Sequence, residues 1–430
     1  MPSAIGIDFG TTNSAVAAAA PDGGVRLATV PSEGGPSKTF RSVLCFDPDE
    51  RDRGRPAPLA GPRALERYVQ LGGEARFLQS LKSYLPSKLF NSTTIFGHRF
   101  TLEQLIGALV KALKEAAEPA LGAFPERVVV GRPVRFVGAE TDEDDAYAVT
   151  RLRSALALAG LPDVVFEFEP VGAAYHYEAG LADDELVLIA DFGGGTSDFC
   201  LARVGPSVRE RGRAGSRRDI LGTAGVGIAG DAFDGQIVRH VIAPRLGKAT
   251  TYRPMGKAVE LPAWIFGNLE RWHRLSFLKS PDTLEFVRTV LKTSSDPERI
   301  KALLHVVESD LGLALYRAVE KVKIDLSARP KTSFRFDDGD LRIEADVTRA
   351  AFESWIAADV KAIAACVDGL LAQTKLGPAA VDRVFMTGGT ALVPAVRKVF
   401  ADRFGEEKLR GGDELTSVAS GLALRARDLG

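Results

Sequence analysis

Short apolar runs that enter a Gly/Thr-rich turn and leave it as another apolar run are the dominant pattern of this chain. Ala4-Ile5-Gly6-Ile7 passes through Asp8-Phe9-Gly10-Thr11-Thr12-Asn13 into Ala15-Val16-Ala17. Leu186-Val187-Leu188-Ile189-Ala190 passes through Asp191-Phe192-Gly193-Gly194-Gly195-Thr196 into Phe199-Cys200-Leu201-Ala202. Both predict a strand, a tight turn with its N–H groups left free, and a second strand. Helical spacing is clearest at Leu102, Leu105, Ile106, Leu109, Val110 and Leu113, which predicts a helix over 102–118.

The remaining pattern predicts strands over 25–30, 42–46, 127–130, 164–168 and 384–386, and a hairpin of 333–336 with 341–345. Helices are predicted over 63–69, 75–85, 146–159, 170–180, 311–327 and 394–400, with a single helix from 347–349 to about 374. Residues 48–58 read as a polar loop, 140–145 as an acidic loop, and 221–230 as a Gly-rich stretch opening a helix at Asp231. Segment 245–310 has mixed signals. Strands and helices interleave, so the class is α/β.

At 430 residues, two or more domains are expected. With 45% hydrophobic and 26% charged residues and a net charge of -1, nothing electrostatic favours nucleic acid or an anionic membrane as a partner. Arg211-Gly212-Arg213 and Arg217-Arg218 form a small basic cluster that reads as a solvated loop. No apolar stretch has the length of a membrane span, and the N-terminus lacks a leader-like pattern. Cys45, Cys200 and Cys366 are few and far apart, which fits a reducing cytoplasm and excludes CxxC chemistry. The five histidines show no metal-ligand spacing.

Free turn N–H groups and threonine hydroxyls can hold phosphate oxygens, and a strand-end aspartate can hold hydrated Mg²⁺. Two such turns suggest paired half-domains gripping one nucleotide. Other motifs carry less. Gly225-Val226-Gly227-Ile228-Ala229-Gly230 matches GxGxxG outside an early strand-helix-strand unit, Asp191-Phe192-Gly193 has no kinase HRD loop before it, and neither GxxxxGK[ST] nor GxSxG occurs.

Together the motifs resemble the actin-like ATPase superfamily, and most closely the nucleotide-binding part of the heat-shock-70 (DnaK-type) chaperones in a short, YegD-like form. Residues 5–16 resemble that family's first phosphate motif and 186–199 its second. Glu169-Pro170-Val171-Gly172-Ala173-Ala174 and Gly230-Asp231-Ala232-Phe233-Asp234 resemble its connecting motifs. The stretch Glu320 to Ser327 resembles the helix that holds ribose and base, and Thr387 to Pro394 the adenosine loop.

The resemblance implies a two-lobed fold, each lobe on a ribonuclease-H-like mixed sheet, with nucleotide in the cleft between them. Lobe I would be 1–183 plus 408–430, and lobe II 184–407 with an outer subdomain at about 232–312. It implies ATP or ADP with Mg²⁺ as ligands. Gly10, Thr11, Thr12 and Asn13 would face the phosphates from one side, and Gly193, Gly194, Gly195 and Thr196 from the other. Asp8 and Asp191 would hold the metal, largely through water, and Glu169 would orient the attacking water, with Asp8, Glu169, Asp191 and Thr196 as the catalytic set. Gly230, Glu320, Lys323 and Ser327 would hold ribose and adenine. Gly388, Gly389, Thr390 and Leu392 would approach the α-phosphate, sugar and base.

Three departures shape the functional expectation. The family's catalytic lysine follows Gly-x-x-Ala; the counterpart Gly61-Pro62-Arg63-Ala64-Leu65 has leucine there, leaving Arg63, Arg67 or Lys82 as substitutes. Leu392 stands where the family stacks an arginine on adenine. The sequence ends at Gly430, soon after the segment resembling the last helix of the nucleotide domain, so the peptide-binding part is expected to be absent. The expected function is a slow ATPase whose lobe closure is read by a partner or client protein. The alternatives are a non-hydrolysing nucleotide sensor or scaffold and, further off, a small-molecule kinase. Trp264, Trp272 and Phe277 read as core packing or as a partner-binding surface.

Overall fold

A computed structural model describes residues 4–31, 35–71, 74–213, 219–412 and 416–429. Arg217-Arg218, Gly430 and the side chains of Arg211, Arg213 and Trp272 lie outside what is described. The chain divides into two compact units, 1–229 with 361–430, and 230–360.

The first unit holds two five-stranded paths of identical topology. One runs, by neighbour, Asp163–Phe168, Arg127–Arg132, Ala4–Phe9, Asn13–Ala19 and Val25–Leu27. The other runs Leu409–Gly411, Arg383–Thr387, Glu185–Phe192, Ser197–Val204 and Ile220–Val226. In each, the first three strands in sequence are an antiparallel meander and the last two add in parallel on the far side. Mixed sheets of this order are the ribonuclease-H-like arrangement, and Asp8 and Asp191 fall at equivalent strand ends.

Two helices tie the sheets together. Glu169–Glu178 packs on strands of the second sheet and Ser417–Leu429 on strands of the first, and each packs on the other. Their crossing is close because Gly172 and Gly421 meet there. A Cβ on Gly421 would sit 1.7 Å from the Gly172 carbonyl oxygen. One apolar cluster, including Ala17, Val129, Val171, Ile189, Cys200 and Leu422, runs through this region.

The second unit opens with helix Gly230–Ile237. It is otherwise built on helices Pro281–Thr293, Pro297–Glu308 and Gly312–Ala328 and the hairpin Lys331–Asp337 with Arg342–Thr348. The hairpin and the helix over 311–327 follow the expected pattern, whereas the mixed segment 245–310 resolves into short helices and a two-residue ribbon. Among the described residues no helix is long and apolar enough to cross a membrane.

Several local expectations are overturned. The loop over 48–58 is a hairpin, Val43–Asp52 with Arg55–Ala60, because Arg53 and Gly54 both take positive φ (49° and 82°) and form a two-residue turn. Its polar residues face solvent on the outer end of the strands. The helix over 75–85 is a strand, Arg76–Gln79, paired to Val43–Asp52, then a left-handed Ser80 (φ 53°) and a 3-10 turn, Leu81–Tyr84. Pairing with a neighbouring strand outweighs the local helical spacing. The acidic loop over 140–145 is the first turn of helix Asp142–Leu158. Thr141 caps it in a reciprocal capping box with Asp144, and acids at that end complement the helix dipole. The single helix to 374 is two, Arg349–Trp355 and Ala357–Thr374, parted at Ile356 (ψ 1°). The Gly-rich stretch 221–230 contributes strand Ile220–Val226 before its helix.

Candidate functional site

The two glycine turns close by different means. At the first, a Cβ on Gly10 would lie 2.0 Å from the Asn13 carbonyl oxygen, so only glycine lets the hairpin turn. Thr12 O accepts from Ser42 N, and Asn13 Oδ1 accepts from Arg41 at 3.4 Å. At the second, Gly193 N–H donates to Thr196 O at 2.9 Å. That N–H is therefore spent on the turn itself, contrary to the expectation that all would be free. The N–H groups of Gly194 and Gly195 have no protein acceptor among the described residues.

The turns face each other: a Cβ on Gly195 would come within 3.7 Å of Thr11 Oγ1 and 2.8 Å of Val137 Cγ2. The loop after strand Arg383–Thr387 stacks beside the second turn. Gly388 (φ 86°) has room for no side chain, since its Cβ would meet the Phe192 carbonyl oxygen at 1.9 Å. Gly389 has nothing near it, Thr390 is buried, and Leu392 is 59% exposed.

Behind the turns lies a group of acids around one lysine. Glu169 is the first residue of helix Glu169–Glu178, behind Phe168 at the cap and ahead of Pro170, and is buried. Lys82 Nζ donates to Glu169 Oε1 at 2.5 Å, with both side chains less than 10% exposed. Lys82 reaches it from the 3-10 turn behind the left-handed Ser80. Of the other two substitutes, Arg63 is exposed and Arg67 is paired with Asp47 (Nε–Oδ2 2.6 Å).

Burial, then the charge of Glu169, pushes the Asp8 carboxyl up to about 7 against the opposing pull of Lys82. Burial raises Asp191 well above the carboxylate range, and Glu169, Asp8 and Asp198 push the same way. Burial and Glu169 push Asp198 up to about 7, although the Thr196 hydroxyl and the Val134 N–H favour its charged form. Asp198 Oδ1 accepts from Val134 N at 2.7 Å, while Oδ2 is buried with no protein partner among the described residues. Four acids thus share one cation. Crowded acids that hold protons in the absence of a metal, set next to backbone donors, suit an external cation and an anion together, the cation favouring their charged forms.

Asp198 was not among the sequence-derived site residues, and Lys82 was only one of three options. The signal for Asp198 was its place directly after the second turn, in register with Asp191 on the paired strand. For Lys82 the sequence held no such signal, because the segment before it reads as helix.

In the second unit, Lys323 Nζ donates to Asp234 Oδ2 at 2.8 Å and to Gly230 O at 3.3 Å, which brings Gly230 and Lys323 together. Burial works against the lysine's charge, but Asp234 outweighs it and raises the Lys323 pKa. Ser327 Oγ turns back onto Lys323 O at 3.0 Å, and Glu320 lies on the same helix face. Trp264 and Phe277 are each about half exposed, at 47% and 43%.

The profile of the family described as Hsp70 protein matches residues 4–250 and 307–429. The "Chaperone protein DnaK" of Elusimicrobium minutum is 28% identical over 439 residues, covering 98% of this chain and 57% of its own length. Those of Thermosipho africanus and Thermotoga petrophila are each 25% identical, again over 98% of this chain, and over 58% and 59% of their own. The chain thus spans somewhat under three fifths of the length of these relatives. The matched stretch corresponds to the nucleotide-binding part of DnaK-like chaperones, an actin-like ATPase fold that agrees with the duplicated mixed sheets. By sequence match and by topology, this chain belongs to the Hsp70 family.

Proposed function

We propose that the chain binds ATP and ADP with Mg²⁺ between its two facing glycine turns and hydrolyses ATP slowly. The observation that carries this is the convergence of equivalent turns from two equivalent sheets on a buried group of acids and one lysine. The residues fit the ligand. Thr11, Thr12 and Asn13 with Gly194, Gly195 and Thr196 offer donors to phosphate oxygens, while Gly10 and Gly193 shape the turns. Among the described residues no three acidic, histidine or cysteine side chains group to ligate a metal directly, so Asp8 and Asp191 suit a magnesium ion that keeps most of its waters. Bound Mg²⁺ would neutralise phosphate charge and relieve the mutual repulsion of Asp8, Asp191 and Glu169.

Glu169, held at a helix start, is assigned to orient water. Gly388, Gly389 and Thr390 are assigned to the sugar and α-phosphate and Leu392 to an apolar contact with the base. On the family resemblance, Gly230, Glu320, Lys323 and Ser327 are assigned to ribose and adenine. Closing of the two sheet-bearing halves, lobe I (1–183 with 408–430) on lobe II (184–407), would be the output, read by a partner or client protein. The three free cysteines fit a cytoplasmic setting.

The second reading, a nucleotide sensor without turnover, is favoured by Leu65 at the family's lysine position. Titration calorimetry with Mg·ADP and Mg·ATP, followed by single-turnover hydrolysis, tests both. Heat of binding with turnover that Asp191→Asn abolishes supports the ATPase, binding without turnover supports the sensor, and no heat with either nucleotide refutes the proposal.

A further inference from the structure

We infer that the ribbon opening segment 251–306 is a prong that docks on an anionic phospholipid bilayer, with the protein lying on that surface and not spanning it. The inference is independent of the nucleotide site. Residues 251–306 fall between the two stretches that match the family profile, so what is built there belongs to this chain and not to the shared scaffold.

The prong is the two-stranded ribbon Thr251–Tyr252 with Val259–Glu260, and its tip is the 3-10 turn Pro254–Gly256. Its base is fixed. Leu261 N–H donates to Thr250 O at 3.0 Å, Ser295 N–H to Thr251 O at 2.8 Å, and Arg253 N–H to the Thr293 hydroxyl at 3.3 Å. Beyond that base residues 253–260 are all exposed. Met255, at the apex, is fully exposed and takes a left-handed backbone (φ 51°), which costs a methionine energy. A turn that had only to reverse the chain would carry glycine or asparagine there.

Three features select the partner. A single apolar side chain that projects clear of its neighbours gains most from a partner it can penetrate, as an apolar layer under a charged surface is. Charge points the same way. Residues 247–259 hold Lys248, Arg253 and Lys257 and no acid, a local excess hidden within a net charge of -1. Lys248 is spent on Glu270, while Arg253 and Lys257 flank the methionine with no ion-pair partner among the described residues. Glu260 closes the stretch opposite Thr251, and so on the face of the ribbon away from Tyr252 and Val259.

The third feature is aromatic. On the face shared with exposed Val259, Tyr252 meets the Phe286 ring edge-on with centroids 6.0 Å apart, and half-exposed Trp264 leans on the same ring at 6.3 Å. Tyrosine and tryptophan, with apolar bodies and polar tips, are the side chains that settle at headgroup depth. Methionine at the apex, cations beside it and aromatics at the base follow the order of acyl layer, phosphates and interface.

The test is co-sedimentation of the whole chain with vesicles of phosphatidylcholine alone and of phosphatidylcholine mixed with phosphatidylserine, at low and high salt. Binding should require phosphatidylserine and fall with salt. Arg253→Gln and Lys257→Gln should each weaken it about fivefold, the effect of one cation at an anionic surface. Met255→Asp should weaken it about tenfold or more, through lost apolar burial and added repulsion. Aspartate tolerates a left-handed backbone, so that variant should keep the wild-type melting temperature. Leu89→Asp, at another fully exposed apolar side chain, is the control and should bind as wild type does. No binding to the mixed vesicles, equal binding to both kinds, or binding that Met255→Asp leaves unchanged would overturn the inference. Capture by polyglutamate that needs Arg253 and Lys257, with none by vesicles, would overturn it too and assign the ribbon to an acidic protein. Neither vesicle nor polyglutamate binding involves nucleotide, so the prong and the nucleotide site fail separately.

Discussion

Replacing Gly421 by alanine probes the joint on which the whole site depends. Its new Cβ would lie 1.7 Å from the Gly172 carbonyl oxygen and 2.9 Å from His176 N, all backbone of the facing helix. An ordinary carbon–oxygen contact needs about 3.3 Å, so the helices must part by about 1.6 Å. Val171, Tyr175, Val418, Leu422 and Leu424, buried on these helices, then lose much of their packing, since gaps of about 0.5–1 Å already forfeit a quarter to a half of the dispersion well. Overpacking of this kind costs about 3 kcal/mol, net of the gain of up to about 1 kcal/mol that alanine brings to a helix.

The first unit has about 300 residues, so its unfolding entropy of about 0.6 kcal/mol/K converts that loss to about 5 °C in melting temperature. Gly369, inside helix Ala357–Thr374 with nothing within 4 Å of a Cβ, is the matched control. Gly369→Ala should stabilise by about 0.5–1 kcal/mol, from propensity alone. Urea denaturation and thermal scanning of both variants test the pair. A Gly421→Ala protein within about 1 kcal/mol of wild type would refute the claim that these helices are locked by backbone contact. Because Gly172 lies one turn from Glu169, the same variant should also weaken nucleotide binding more than its stability loss accounts for.

Two further outcomes follow. With a metal chelator present, Asp8, Asp191 and Asp198 hold protons in the folded protein that the unfolded chain releases above about pH 4. Stability should therefore fall as pH rises from about 4 to 7, by up to about 1.4 kcal/mol per pH unit per group. Asp47 and Asp144, whose carboxyls are lowered, act below that window. Denaturation at a series of pH values checks this, Asp198→Asn should flatten the profile, and stability that is level or rising over the window would refute the charge account. Arg151→Ala removes a buried guanidinium bonded to Glu103 (2.5 Å) and to three carbonyls of the Lys82-bearing segment. It should cost about 3–5 kcal/mol in denaturant unfolding and make the amides of 81–87 exchange faster with deuterium, and unchanged exchange there would show that the turn is held by other contacts.

The parts of the fold that were legible are those in which local pattern and long-range pairing agree. The strands of the two hairpins beginning at Ala4 and Glu185 are mostly buried, so their apolar runs and glycine turns survive in the structure as read. The helix from Leu102 is amphipathic along its whole length and starts on a Thr101 capping box. Segment 75–85 failed because Phe77, Leu78, Leu81 and Leu85 have helical spacing while the backbone of Arg76–Gln79 pairs with Val43–Asp52, a partner some thirty residues away that no local window sees. Lys82, the partner of Glu169, lies in that misread stretch. Segment 245–310 was hard to read for a plainer reason: its helices begin at Pro281 and Pro297 or just after Pro262, and a 7-residue helix, 3-10 turns and a two-residue ribbon separate the two longer ones from the start of the segment.

The duplicated scaffold is symmetrical in topology but not in chemistry, and the register shows where the symmetry breaks. Asp8 pairs across its hairpin with Ala15, whereas Asp191 pairs with Asp198. Ala15 belongs to the apolar cluster between the sheets, so the first hairpin brings one acid and the second brings two. The extra acid is also a tie, since its Oδ1 takes the Val134 N–H just past the end of strand Arg127–Arg132 in the first sheet. Room for that bond is made by Gly225, where any Cβ would stand 2.5 Å from Asp198 Oδ1. The GxGxxG spelling around Gly225 therefore has a structural explanation that owes nothing to dinucleotide binding. A carboxylate that bridges the two sheets, and whose second oxygen has no partner among the described residues, is sensitive to charge brought to the adjacent turn. A change in the charge of Asp198 would change the strength of that bond, since a carboxylate accepts from an N–H more strongly than a neutral carboxyl does.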